Sequence, residues 1–522
     1  MSTILPENLN IADYFLENRL DEGLGERVAL RLVDGNVTYR QVSEMAARFG
    51  QVLLELGVRQ EERVLIALPD SAEYAGALFG ILKIGAVGVM VNPHLEVPNL
   101  RAVFEYSRAR AVVVHADFLA TFEAAREGCQ WPRVFLVVGG EAGSHCRFEN
   151  QAETVSGHLE TVSTHRDDPA LWLFSGGTTG RPKAVVQSHG SFFNTTELYA
   201  KKTLAYGPED ITISVPKLFF GYATGSNLFF PFAVGASAVL FPERVTAEEL
   251  FKQIRRHRPT ILINVPTLVN HMVSHPGAGH EDLSCLRFAT SAGEALPIPL
   301  YERWKEVFGV ELLDGLGTAE MWHVFLTNRL GDVRPGTLGR VVEGFEIKVC
   351  DDTGAEMPDG EVGCLWAAGD SRALGYWQNL SQSADSFRGR WFVGGDLVCR
   401  DSEGYVTYCG RGDDMMKVAG RWVAPQEVES CLSGHDAVEE CAVVGVENTD
   451  GLTKPYAFVV KGAAAVSLDA EPLEQELKAF VIENLAPYKH PRRVFFLDDF
   501  PRTHLGKIDR GKLRGRVAMP EE

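Results

Sequence analysis

Residues 175–183 read Ser-Gly-Gly-Thr-Thr-Gly-Arg-Pro-Lys, a combination suited to holding phosphate. Three glycines let several backbone N–H groups converge on an anion. The hydroxyls of Ser175, Thr178 and Thr179 add donors, and Lys183 adds a point charge. An ordinary Gly/Ser/Thr loop is the plain alternative. A hairpin turn needs fewer residues, however, and rarely collects this many donors ahead of a lysine. A Walker loop is excluded by spacing. GxxxxGK[ST] must open a helix, whereas Gly180 is followed by Arg181 and Pro182, and then by the strand-like AVVQSH. The segment reads as a phosphate cradle between two strands.

The elements that must carry this loop alternate between strand-like and helix-like runs. RVLIALP (63–69) is a short apolar strand, and DSAEYAGALFGILKIGA after it has helical spacing with Asp70 as the expected N-cap. AVGVMVNP (86–93), RAVVVH (110–115) and ALWLF before the loop read as buried strands. ASAVLFP, VTAEELFKQIRRHRP and TILINVP (236–266) repeat strand, helix, strand. This is the rhythm of helix-covered parallel sheets. From about Val333 the texture changes to glycines, aromatics and short strands, which predicts a β-rich subdomain over about 333–411. A compact α+β unit with a helix near Glu471–Leu485 follows. The expected class is α/β: a large N-terminal domain (1–412) and a small mobile α+β C-terminal domain (413–522).

Composition narrows the class further. The 522 residues exceed one ordinary domain. Apolar and charged fractions of 45% and 23% are those of a globular protein. The start has no basic flank before an apolar run, and no stretch of about 18 apolar residues occurs, so neither a signal peptide nor a membrane span is expected. The nine cysteines form no CxxC pair, which argues against a zinc site or a disulfide framework and fits a cytoplasmic location. A net charge of −19 makes nucleic acid a poor partner. Residues 487–516 run against that balance, with nine Lys/Arg and three Asp (9 − 3 = +6). They read as a solvated face or, in part, as a wall facing an anionic ligand.

On SGGTTGRPKA the chain resembles the phosphate loop of the adenylate-forming superfamily (acyl-CoA synthetases, adenylation domains and luciferases), and further motifs follow in the family's order over nearly the whole length. The resemblance implies ATP-phosphate contacts from Ser175, Gly176, Gly177, Thr178, Thr179, Gly180, Lys183 and Thr318. SAGEALP (291–297) resembles the adenine-flanking segment, with Gly293, Glu294 and Ala295. DGLGTAEMWHVF (314–325) resembles the segment over the other face of the base, with Asp314, Gly315 and Leu316, and ends in Glu320 as the Mg2+ ligand. Asp396 and Arg411 are implied as ribose ligands, Asp413 as the interdomain hinge, and Lys507 in PRTHLGKIDRGKLR as the catalytic lysine. MKVAGRW implies a pantetheine tunnel with Lys417, Ala419 and Gly420. The chain departs from the pattern at Gly176, where the family usually has a hydroxyl, at Ala184, where glycine is common, and at Ala319, where threonine usually precedes the glutamate.

Within the superfamily NIADYFLENRL, VPKLFFGYATG (215–225) and GTAEMWHVF are similar to benzoate-CoA ligases. That implies an acid pocket of Phe219, Phe220, Gly221, Tyr222, Gly317, His323 and Val324, with Phe219 and Phe220 as its gate. The expected activity is ATP- and Mg2+-dependent joining of benzoate, or an ortho-substituted benzoate such as anthranilate, to coenzyme A through an acyl-AMP. A carrier-protein-loading enzyme, a medium-chain acyl-CoA synthetase and a non-catalytic binding protein share many of these motifs. A homodimer is left open.

Overall fold

The computed structural model describes residues 5–175, 183–418, 421–447, 453–462, 465–502 and 508–518. Its N-terminal part is built on two large mixed sheets. The first runs, edge to edge, Gly375–Tyr376, Lys183–Ser188, Pro169–Ser175, Val87–Met90, Arg63–Ala67, Ala111–His115, Val134–Val138 and Cys146–Arg147. Its central strands are parallel and buried along almost their whole length, which is why they read as continuous Val/Ile/Leu runs rather than alternating ones. The second sheet has nine strands, with Ile211–Ser214, Ile261–Asn264, Phe288–Ser291 and Leu312–Thr318 at its parallel centre. Ser237–Val239 and Ile261–Asn264 both lie in it, but Ile211–Ser214 is inserted between them.

The Ala72–Lys83 helix is buried on nearly every side, as its apolar circumference requires. Its N-cap is Ser71, whose Oγ accepts from Tyr74 N at 3.3 Å, and not Asp70 as the sequence pattern predicts. Asp70 lies one residue too early and is turned into the interior. Phe79, Phe229 and Phe232 belong to the core of the large part, with Phe15 stacked on Phe229 at 4.4 Å.

The glycine- and aromatic-rich region does contain a five-stranded antiparallel sheet, from Glu346–Cys350 to Val406–Arg411. Two of its segments leave it. Arg340–Val341 pairs with His323–Thr327 of the second sheet, and Gly375–Tyr376 pairs with Lys183–Ser188 of the first. The C-terminal part has its own three-stranded sheet (Val438–Glu447, Thr453–Lys461, Val494–Leu497) covered by the Pro425–Leu432, Ala470–Asn484 and Arg510–Ala518 helices. Val443, Val459, Leu477 and Val481 are in its separate core. Among the described residues no helix is long and apolar enough to cross a membrane.

Candidate active site

The two strands flanking the glycine loop form an antiparallel pair in which Ser175 stands opposite Lys183. Gly176, Gly177, Thr178, Thr179 and Gly180 lie outside the described residues. Beside the two strand ends sits Glu320, in a single helical turn at Ala319–Met321. That turn is clamped from two sides: Gln187 Nε2 donates to Ala319 O at 2.5 Å, and Ala373 N donates to Glu320 O at 2.7 Å. The Glu320 carboxylate is buried and accepts from Tyr376 OH at 2.9 Å and Ser175 Oγ at 3.3 Å. Burial raises its pKa, the Tyr376 bond opposes that, and Asp396 and Lys183 act with opposite signs. Lys183 Nζ stands 5.4 Å from the centre of the Tyr376 ring. Thr318 Oγ1 accepts from Met321 N at 3.2 Å, so its oxygen caps this turn while its proton remains available to donate.

Asp396 and Arg411 are direct cross-strand partners. Arg411 Nη1 lies 3.6 Å from Asp396 Oδ1, Tyr408 OH donates to Asp396 Oδ1 at 3.2 Å, and Arg411 Nη2 donates to Gly394 O at 3.0 Å. A cleft of about 1910 Å3 joins them to Ser175, Lys183, Thr318, Glu320, Gly293–Ala295 and Asp314–Leu316. Asp314 is buried, and burial pushes its carboxyl well above the usual range against the opposing hydrogen bonds of Gly315 N–H and the Ser291 hydroxyl. Glu294 is turned the other way. Its carboxylate accepts from Thr267 N at 3.1 Å and Thr267 Oγ1 at 2.7 Å, which leaves only the backbone of Gly293–Ala295 to meet a ligand.

Next to this cleft lies a smaller, apolar cavity of about 190 Å3. Phe219, Phe220, Gly221, Tyr222, Gly317, His323 and Val324 all line it, as the sequence reading proposes, and so do Met90, Asn92, Leu95, Leu173, Phe174 and Trp322. Gly293 borders both the cavity and the cleft. It also borders a third space of about 1270 Å3 between the large and small parts. His323 reaches the cavity through unusual backbone: Trp322 and His323 have φ of 41° and 86°. Such conformations cost of order 1–3 kcal/mol each for residues with side chains. The Trp322 carbonyl is held by Thr195 Oγ1 at 3.0 Å. The opposite strand must be glycine, because a Cβ on Gly317 would lie 2.4 Å from His323 O.

The loop carrying Phe219 and Phe220 is fastened at Leu218. Its N–H donates to Asp70 Oδ1 at 2.8 Å, and its carbonyl accepts from Tyr74 OH at 3.0 Å and Thr224 Oγ1 at 2.5 Å. Burial pushes the Asp70 carboxyl up to about 6, against the pull of Lys217. Asp70→Ala strands a buried N–H. It is expected to destabilise the protein by about 1–3 kcal/mol, read as a lower denaturant midpoint at unchanged slope. Asp70→Asn, which keeps an acceptor, should lose less.

Asp413 falls in the Gly412–Asp414 turn, and the neighbouring Asp414 pairs with Arg514 at 2.6 Å. Lys417 is exposed on the Met416–Val418 strand; Ala419 and Gly420 lie outside the described residues, as does Lys507. Of the basic run, Arg502, Arg510, Lys512 and Arg514 line the space between the large and small parts. Lys489, Arg493, Arg502, Arg510, Lys512 and Arg514 each pair with a carboxylate of the same part of the chain. Of these pairs, Lys512–Asp509, three residues apart, has a spacing that marks it in sequence.

Sequence reading missed Tyr376, Asp70, Tyr74 and the cavity wall at Met90–Leu95. One signal was available for the last: in open α/β sheets ligands collect at the carboxyl ends of parallel strands, and Met90 ends such a strand. Tyr376 carries no such mark, because only its pairing with Lys183–Ser188 brings it to Glu320.

A family model described as AMP-binding enzyme matches residues 17–377, and one described as AMP-binding enzyme C-terminal domain matches 427–507. The chain belongs to the AMP-binding enzyme family. It is 41% identical over 514 residues to a benzoate–CoA ligase of Thauera aromatica, covering 98% of this chain and 96% of that one. The crystal structure of an anthranilate CoA ligase, AuaEII, in complex with anthranoyl-AMP superposes with a TM-score of 0.94 at 39% identity, covering 98% of each chain. A benzoate CoA ligase from Burkholderia xenovorans LB400 superposes with a TM-score of 0.89 at 40% identity, covering 97% of this chain and 100% of that one. With this fold and these relatives the protein is an AMP-forming acid–CoA ligase that uses ATP.

Proposed function

We propose that the protein activates a benzoate-sized aromatic carboxylic acid with ATP and transfers the acyl group to coenzyme A. The observation that carries this is the apolar cavity of about 190 Å3 meeting the polar cleft at Gly293. An apolar cavity of about 150 Å3 is enough to hold benzene, so one ring fits and a long chain does not.

A carboxylate has no good leaving group, so it must first be activated. Its oxygen attacks the ATP α-phosphorus, forming the acyl–O–P bond as the bond to the pyrophosphate oxygen breaks. The CoA thiol then attacks the acyl carbon, AMP leaves, and the thiol proton passes to solvent. Lys507 would bridge the acid and the α-phosphate, where charge gathers during in-line transfer. Asp396 and Arg411 would hold the ribose, the first accepting from a vicinal diol and the second donating. Asp314, Gly315 and Leu316 would lie over one face of the adenine. With most of the acid-facing wall apolar, orientation of the ring would fall to shape and to Tyr222 and His323.

Mg2+ fits the residues present. Glu320 is a buried carboxylate beside Ser175 and Lys183 at the phosphate end of the cleft, and the described residues form no cluster of three or more His, Cys, Asp or Glu side chains that could cage the ion alone. One carboxylate plus substrate phosphates is the usual Mg2+ arrangement; bound there, the ion would neutralise charge on the phosphates.

The test is turnover with ATP, Mg2+ and CoA across benzoate, anthranilate and hexanoate, with thioesters detected by mass. Aryl thioesters should form faster than hexanoyl-CoA. Transfer to a holo carrier protein with no thioester on free CoA would refute the reading.

A further inference from the structure

Two fully buried hydroxyls, those of Thr195 and Ser371, touch each other and border neither the cavity nor the cleft. Their oxygens are 2.6 Å apart, so one of their two hydrogens must lie between them. The other is left for one of two carbonyls. Thr195 Oγ1 lies 3.0 Å from Trp322 O, and Ser371 Oγ lies 3.0 Å from Ser191 O. Ser191 O belongs to the His189–Thr195 helix, where a backbone N–H one turn on can reach it. Trp322 belongs neither to the helical turn before it nor to the strand after it. That need sets the direction of the hydrogens. Asn194 Nδ2 donates to Ser371 Oγ at 2.9 Å, Ser371 donates to Thr195 Oγ1, and Thr195 donates to Trp322 O.

The backbone at Trp322 needs such a hold. Trp322 and His323 both have positive φ, 41° and 86°, in a region that residues with side chains resist. Backbone persists there only where its surroundings over-determine it. The helix that carries Thr195 also grips the Trp322 side chain. Phe192, three residues before Thr195 and so on the same helix face, has its ring 4.1 Å from the indole. Ser371 approaches from a different segment. Ala373, two residues on, donates its N–H to Glu320 O at 2.7 Å. One short segment therefore fastens the turn before Trp322 and, through Thr195, Trp322 itself. Trp322 and His323 both line the apolar cavity, so this backbone sets the shape of one wall.

We propose that Thr195 and Ser371 are positioning residues for the acid substrate: their hydroxyl chain holds Trp322 in its left-handed conformation and so keeps the cavity wall in the shape that fits an aromatic ring. This rests on the aryl-acid reading above. Neither hydroxyl touches the substrate, and each acts through the Trp322 carbonyl.

The experiment compares Thr195→Val, which keeps the side-chain shape and deletes the hydroxyl, with Thr195→Ser, which keeps the hydroxyl. Steady-state thioester formation is measured on the faster of benzoate and anthranilate, and on hexanoate. In Thr195→Val the KM for the aryl acid should rise on the order of 10-fold, while kcat and the KM values for ATP and CoA stay within about threefold of wild type. The aryl-to-hexanoyl ratio of kcat/KM should fall by a similar factor, because a relaxed wall stays apolar but loses its fit to a ring. Thr195→Ser should keep the wild-type KM and ratio. An unchanged aryl-acid KM in Thr195→Val, or a loss spread equally over acid, ATP and CoA, overturns the proposal. So does Thr195→Ser behaving like Thr195→Val. Should Thr195→Val not fold, Ser371→Ala decides by the same split, with the aryl-acid KM up about 3–5-fold and the KM for ATP unchanged. Failure of the aryl-acid reading looks different, since the wild type would then form no aryl thioester.

Discussion

Lys507→Ala is expected to cut acid-dependent ATP–pyrophosphate exchange by on the order of 10²–10³-fold, while CoA attack on preformed acyl-adenylate proceeds at nearly the wild-type rate. The first half-reaction brings a carboxylate up to a triphosphate, so two anions must share one place. A single ammonium between them attracts both, and does so most strongly when charge is spreading over the phosphoryl oxygens. The second half-reaction starts from a neutral acyl carbon and a mixed anhydride that is already activated. It needs access for the thiol more than it needs that charge. The space between the large and small parts meets the apolar cavity at Gly293, Asn92 and Leu95, which would give a thiol a route that does not cross the polar cleft. Measuring exchange and single-turnover thioester formation on the same preparation separates the steps. Equal loss in both would remove Lys507 from the adenylation role and make it a general structural residue. Lys507→Arg should restore little, because a planar fork does not replace a point charge between two ligands.

The parts of this molecule legible from sequence are those that depend on local pattern. Buried parallel strands show as unbroken apolar runs, so Arg63–Ala67 and Ala111–His115 could be placed within a residue or two. The helix predicted over Glu471–Leu485 spans Ala470–Asn484. Periodicity says nothing about neighbours, however. The insertion of Ile211–Ser214 between two strands that look consecutive, and the return of Gly375–Tyr376 to a sheet begun some three hundred residues earlier, have no local signature. The same holds inside the site. His323 and Tyr222 could be named as cavity residues by resemblance, but the hold on His323 Nε2 by the Tyr222 carbonyl and Ser226 Oγ, both on another element, could not. Asp70 shows the reverse error: its residue type suits an N-cap, and a one-residue shift hands that task to Ser71 and frees Asp70 to hold Leu218.

Glu320→Gln is expected to lower exchange by on the order of 10²-fold while leaving the thermal midpoint of the free protein unchanged or raised. The side chain is buried, its pKa is raised by that burial, and Asp396 adds like charge nearby. Removing a charge from such a place relieves the empty protein, because burying an ion costs more than two neutral hydrogen bonds return. Glutamine keeps the length and still accepts from Tyr376 OH and Ser175 Oγ through its carbonyl oxygen. On the proposed role a cation would meet this carboxylate only when nucleotide is present, and the Mg2+ concentration for half-maximal exchange should therefore rise in the variant. Tyr376→Phe probes the same network more gently. It retains the ring 5.4 Å from Lys183 Nζ and deletes the 2.9 Å bond to Oε1 together with the hydroxyl's contact to Ser386, so a fall of about 3–10-fold is expected, the worth of one hydrogen bond. A Glu320→Gln protein that loses activity together with several degrees of thermal midpoint would mean that the carboxylate serves the fold. Loss of activity at equal or greater stability assigns it to the nucleotide.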